Sequence, residues 1–398
     1  MLDRPNNQTS PSIAGLSAKQ DVRFDNARLV LADGIERGSL RVEAGLIAGL
    51  GGDRHLDTVM DLEGDYLVPG IVDVHTDHVE THVHPRAAVL WPFLPALLTH
   101  DAVVISGGTT TVFDSLCVGA TMKRPERGEI LKPLIDALDR GQAAGLFRAE
   151  HFVHLRCEIS DPDTPGLARD ALMHPLAKLV SVMDHTPGDR QSPDVERWFH
   201  HMIHEMEITP EDGRARLDEL FDRSARTGAE NRAAIIAHAT AAAVPIMSHD
   251  DRSVVHVDQA DREGVTVSEF PTTLVAAKRA KALGLKTIAG APNFLRGGSQ
   301  SGNVAVRTLL EAGVVDALAS DYVPRSPLDC AFAIAADQDL PIDLPQAIAM
   351  VTSAPAGIAG LHDRGRLAEG LRADLVQVRL HDRQPIVCGV WRAGVKVF

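Results

Sequence analysis

Eight short apolar runs alternate with longer stretches of helical periodicity through the middle of this chain, and that order constrains the fold more than any other feature. The runs are GIVDVH, TTTVFDS, HFVHLRCE, KLVSVMDH, VPIMSHD, VTVSEF, KTIAGAP and DALASDY. Between them lie segments such as ERGEILKPLIDALDRGQAAGL and GRARLDELFDRSARTGAENRAAIIAHATAAA, whose apolar positions recur at helical spacing. Strands that alternate with helices pair in parallel through right-handed crossovers. Eight of them predict an α/β fold, a (β/α)8 TIM barrel. A doubly wound open sheet is the structural alternative.

The chain ends read differently. VRFDNARLVL, SLRVEAGLIAGLG and YLVPG before the barrel, and ADLVQVRL and VCGVWRAGVKVF after it, are short strand patterns broken by turns. We therefore expect a small β-sandwich from residues 21–68 and 360–398, interrupted by a barrel over 69–359, with a mobile polar tail over 1–20. A length of 398 residues suits one large barrel plus a modest second element.

The formal charge of −14 argues against a nucleic-acid surface, which needs clustered Lys and Arg. No apolar run approaches a membrane span or a signal peptide, so a cytoplasmic protein is expected. Cys117, Cys157, Cys330 and Cys388 are widely spaced and form no Cys-x-x-Cys pair, which reads as reduced thiols. The sequence leaves a homo-oligomer open.

Chemistry collects at the ends of the predicted strands, where barrels build their sites. Six runs end in a potential metal ligand: His75 with Asp77, Asp114, Glu158, His185, His249 and Asp321. Residues two apart share a strand face, so Asp73, His75 and Asp77 point one way, as do His154, Arg156 and Glu158, with Cys157 opposite. Imidazole and carboxylate together suit one or two divalent ions, zinc first, with manganese or iron compatible. Taken singly, each His is more often a hydrogen-bonded structural residue; the set, in register with the strand ends, is the signal. Asp114 reads better as a cap for the following segment. His78, His82 and His84 crowd the loop after His75, and His82 is the reserve ligand.

The segment YLVPGIVDVHTDHVETHVHPR resembles the opening metal strand of the amidohydrolase superfamily. Its His-Thr-Asp, later His and Pro-Arg are similar to the phosphonate-catabolism branch, as are LLTHDAVVISGGTTTVFDSLCVG, HLRCEISDPDTP, SVMDHTPGDRQ, GAPNFLRGGSQSGN and LASDYVP. The superfamily opens on His-x-His where this chain has His75-Thr76-Asp77, and the resemblance implies that Glu158 replaces a commonly carbamylated Lys as the bridging group. The resemblance implies a barrel of amidohydrolase type that hydrolyses a triphosphate on ribose and releases diphosphate. It implies His75, Asp77, Glu158, His185, His249 and Asp321 as metal ligands and a phosphorylated sugar as substrate, and Asp321 would also take the proton.

Such a polyanion needs convergent donors. Arg86, Arg156, Arg190, Arg296 and Arg325 lie near strand ends, and the loop Arg296-Gly297-Gly298-Ser299 adds backbone N–H groups and a hydroxyl before a helix. That loop is no Walker A motif, and GSQSG is no nucleophile elbow. Two other readings stand beside phosphate hydrolysis: cyclic amide hydrolysis or deamination, favoured by an apolar cleft with one Arg, and a barrel kept only as a scaffold.

Overall fold

The computed structural model describes residues 21–51, 56, 58–86, 89–119, 127–299 and 301–398. The tail expected over 1–20 lies outside them. All eight predicted barrel runs are strands: β6 (Ile71–Thr76), β7 (Thr109–Val118), β8 (Glu150–Glu158), β9 (Ala177–Met183), β10 (Ile246–His249), β11 (Val267–Glu269), β12 (Lys286–Gly290) and β13 (Ala317–Ala319). They pair in parallel and in sequence order. A parallel bridge between Thr76 and Asp321 joins the two edges at the carboxyl end. The barrel therefore meets itself at the mouth, and the open-sheet alternative falls.

Period-two geometry sorts the interior into layers. Phe113, Leu179, Met247, Val267 and Ile288 pack in one buried cluster, drawn from five strands. Two residues further along their strands stand Ser115, Ser181, His249 and Glu269, on the same face and buried. An apolar floor thus supports a polar layer that opens toward the strand ends. Outside the barrel, the helix Phe93–Ser106 and its neighbour Arg127–Ala143 cover β7 and β8 with residues such as Leu97, Leu131 and Leu134.

Both chain ends come together, as expected, and where a β-sandwich was expected their strands form one eight-stranded sheet. Strands β1 (Val22–Val30), β2 (Ile35–Glu43), β3 (Leu46–Leu50), β4 (Val59–Asp61) and β5 (Tyr66–Pro69) join β14 (Leu375–His381), β15 (Gln384–Arg392) and β16 (Val395–Lys396). The last pattern yields two strands, β15 and β16, because a turn at Ala393 and Gly394 splits it. Phe24, Leu40, Leu67, Leu375 and Trp391 form the buried core of this sheet. Gly70 joins it to the barrel: a Cβ there would sit 2.2 Å from Oγ1 of Thr110, so no larger residue fits the junction. At the base of the barrel, Arg364 and Arg372 converge on Glu150 at the start of β8, tying the return segment to the strands.

Candidate metal centre and substrate cleft

Three strands end in the same way, and this is what aims their side chains. Asp250 follows β10, Phe270 follows β11 and Asp321 lies just beyond β13, with φ of 55°, 52° and 53°. Left-handed backbone is tolerated by Asp and strained for Phe, and such strain gathers at functional sites. Each N–H still donates to a neighbouring strand: Asp250 to the carbonyl of Glu269 (3.0 Å), Phe270 to Ile288 (2.9 Å) and Asp321 to His75 (2.9 Å). The chain turns away from the barrel while His249, Glu269 and Asp321 stay at its mouth.

There the ligand-type side chains overlap in three groups: His75 with Asp77 and Asp321, His75 with His249 and Glu269, and His185 with His249 and Asp250. Within each, one ligand atom per residue lies within 4.8 Å of the others. His75 is fully buried between two carboxylates, with Nδ1 2.7 Å from Oε1 of Glu269 and Nε2 3.1 Å from Oδ1 of Asp77. Burial opposes a charged ring here, but Glu269 and Asp77 push the imidazole up to about 10. Nε2 of His249 is buried with no hydrogen-bond partner among the described residues, while Oε2 of Glu269 stands 3.7 Å away. Buried polar atoms are normally satisfied. A divalent ion accepts just such a lone pair beside carboxylates, so the donor set fits one.

Of the expected ligands, His75, Asp77, His185, His249 and Asp321 come together. Glu158 stands apart from these groups: its Oε2 is 2.8 Å from Nδ1 of His185, and Ser160 donates to its other oxygen. It holds His185, while the carboxylate between His75 and His249 is Glu269, which the strand-end reading passed over. The run VTVSEF carries Glu269 at the end of β11, so the same rule that found His249 would have found it. Asp250 was equally visible beside His249. Ser181 donates to Oε2 of Glu269 at 2.6 Å and lies 2.6 Å from Nε2 of His154, which fixes the layer beneath.

Two expectations on the first strands change. Asp114 caps nothing; it is fully buried midway along β7, with His100 Nε2 2.7 Å and His151 Nδ1 2.8 Å from its oxygens. Burial opposes its ionisation, yet those two rings hold the carboxyl well below the usual range. His82 is no reserve for the mouth, because it sits with His78 and His100 in a separate group.

The mouth opens into a cleft of about 400 Å³ with a mainly polar lining, including Arg156, Asn293, Arg296, Ser299, Ser301 and Tyr322. Arg156 donates to Oδ1 of Asp77 at 2.6 Å, and Arg296 to the Tyr322 hydroxyl at 3.2 Å. Gly298 and Ser299 line the same wall, carried there by a left-handed turn at Gly297 (φ 79°). The other arginines are placed elsewhere. Arg190 is buried behind His249, donating to its carbonyl (3.0 Å) and to Asp251 (2.9 Å). Arg325 reaches Asp329 and the carbonyl of Pro385 in the terminal sheet. Arg86 is exposed in a short bridge with Val89. At Asp321, burial first and then the charge of Asp77 raise the carboxyl to about 6, against the opposing pull of His75 and Arg156.

A model of the amidohydrolase family matches residues 197–397. Alpha-D-ribose 1-methylphosphonate 5-triphosphate diphosphatase of Escherichia coli (strain K12) is 38% identical over 376 residues, covering 94% of this chain and 100% of the relative. The chain belongs to the amidohydrolase family. A shorter match joins this amidohydrolase to a D-hydantoinase of Ralstonia pickettii, 31% identical over 136 residues, 34% of this chain and 27% of that one. Solved structures share its fold. The N-acetylglucosamine-6-phosphate deacetylase from Pasteurella multocida superposes with a TM-score of 0.62 at 13% identity, covering 94% of this chain and 99% of that one. The 5-methylcytosine deaminase from Klebsiella pneumoniae gives 0.62 at 17% identity, covering 94% and 98%.

Proposed function

We propose that this amidohydrolase hydrolyses the triphosphate of alpha-D-ribose 1-methylphosphonate 5-triphosphate and releases diphosphate, the activity named for its Escherichia coli relative. The observation that carries the reading is a ligand-rich barrel mouth opening into a polar cleft that bears both Arg156 and Arg296.

His75, Asp77, His185, His249, Asp250, Glu269 and Asp321 would hold one or two divalent ions, zinc being the first choice for this mix of imidazole and carboxylate. A bound ion supplies Lewis acidity to a phosphoryl oxygen and makes water a better nucleophile at neutral pH. Asp321, whose carboxyl stays at about 6 or below, is ionised at neutral pH and placed at the mouth to take the proton from attacking water. Arg296 and the Gly298–Ser299 wall orient the phosphate chain, and Arg156 fixes Asp77. The apolar floor excludes water from below.

Charge supports the need for metal in binding as well as in chemistry. Asp77, Asp250, Glu269 and Asp321 would repel a triphosphate, and only cations of comparable charge reverse that field. A cyclic-amide activity draws support from the hydantoinase match, but that match spans 34% of the chain, and the polar lining with two arginines suits phosphate better. No disulfide joins the four cysteines, three of which are buried, and this supports action in a reducing compartment, the cytoplasm.

The test is to incubate metal-loaded protein with the ribosyl 5-triphosphate and follow the phosphorus resonances. Diphosphate and the 5-phosphate sugar should appear together. Their absence under metal-replete conditions overturns the reading.

A further inference from the structure

A second cluster of imidazoles lies outside the barrel mouth and takes no part in the chemistry above. His78 and His82 stand one turn apart at the short helix Val79–Val83, and His100 faces them from the helix Phe93–Ser106. One ring nitrogen from each lies within 4.8 Å of the other two. Nε2 of His82 and Nδ1 of His78 are 3.1 Å apart. Nitrogens on a tetrahedral zinc ion are separated by about 3.3 Å, given Zn–N bonds of about 2.05 Å.

The independent pointer is His100. Its side chain is fully buried, Nε2 is 2.7 Å from Oδ1 of Asp114, and Nδ1 is buried without a hydrogen-bond partner among the described residues. A ring that donates Nε2–H to Asp114 keeps a free lone pair on Nδ1. This carboxylate–imidazole arrangement is the one that orients metal-bound His and makes it a stronger ligand. Asp114 is itself fixed by His151, so the orientation of His100 is built in from the core.

We propose that His78, His82 and His100 form a second, separate site for one divalent ion of the imidazole-preferring class, such as zinc, cobalt or nickel. Three protein nitrogens leave the fourth position to water. The ion ties the segment that follows Asp77 to the helix covering β7, and so braces the first strand end of the mouth from outside.

The test is a titration of the metal-free full chain with cobalt(II) alone, measuring equivalents bound and the visible d–d spectrum. His82→Gln should bind one equivalent fewer than wild type, and His249→Ala, altered only at the mouth, should keep the cobalt that His82→Gln loses. Equal stoichiometry in wild type and folded His82→Gln overturns the proposal. A measurement on the wild type alone guards against a variant that fails to fold: cobalt should protect His82 from acylation by diethyl pyrocarbonate, and an unchanged rate of modification overturns the site equally.

Discussion

Nδ1 of His75 lies 2.7 Å from Oε1 of Glu269, joining the first and sixth strands of the barrel across 194 residues of chain. The pair sits at the centre of the mouth and decides how a metal enters. With Glu269 on one side and Asp77 on the other, His75 is pushed up to about 10, so at neutral pH the metal-free ring is protonated. A metal must displace that proton. Uptake should therefore release protons, and affinity should weaken as pH falls. Glu269→Gln should lower affinity about 10–100-fold in competition with a chromophoric chelator. Unchanged affinity would remove Glu269 from the centre.

Asp321 makes a prediction on rate. If its carboxylate is the proton acceptor, activity is lost on the acid side as that group protonates, and a bound cation draws the limb below the metal-free value of about 6. Asp321→Asn should reduce kcat roughly 10²–10⁴-fold and abolish that acid limb. A pH–rate profile of kcat under metal saturation reads both effects.

Arginine roles separate by position. Arg296 lines the cleft, so Arg296→Ala should raise KM about tenfold or more with a smaller change in kcat. Arg325 faces the terminal sheet, and Arg325→Ala should leave kcat/KM within about twofold while lowering Tm. Steady-state kinetics and a melting curve on both variants check this.

The buried pair of His151 and Asp114 predicts a pH dependence of stability. Burial disfavours charge on His151, yet Asp114 and Asp101 raise it to about 9. A raised imidazole stabilises the fold fully below the unfolded value near 6.5, and that contribution is lost as pH rises through about 9. Urea unfolding should show a decline on the order of 3 kcal/mol between those limits. His151→Gln should flatten it, at a lower stability throughout.

The barrel was legible because each strand is a short apolar run and most of these runs are closed by a ligand residue, marks that fit in a few letters. Most of the mouth followed from the same rule. Glu269 stands one residue before the end of its run, as Asp321 does, so the strand-end rule covers it as well, and the left-handed turn at Phe270 keeps it at the mouth. Asp114 was misread for a physical reason: β7 continues four residues past it, and the strand is buried on both faces, so no alternation marks which side a carboxylate takes. Arg325 is four residues from Asp321 in sequence, yet its guanidinium is drawn to Pro385, 60 residues on. Contacts of that range leave no local pattern. The arrangement of His78, His82 and His100 needed the helix Phe93–Ser106 to be seen in place.

The central claim is that this mouth cleaves a phosphoanhydride rather than an amide. One metal-loaded preparation, offered the ribosyl 5-triphosphate and a hydantoin side by side, gives kcat/KM for each. We predict diphosphate release with kcat/KM at least about 10³-fold above ring opening, and loss of that release in His249→Ala. Ring opening that outpaces diphosphate release, or diphosphate release undiminished in His249→Ala, would contradict the account.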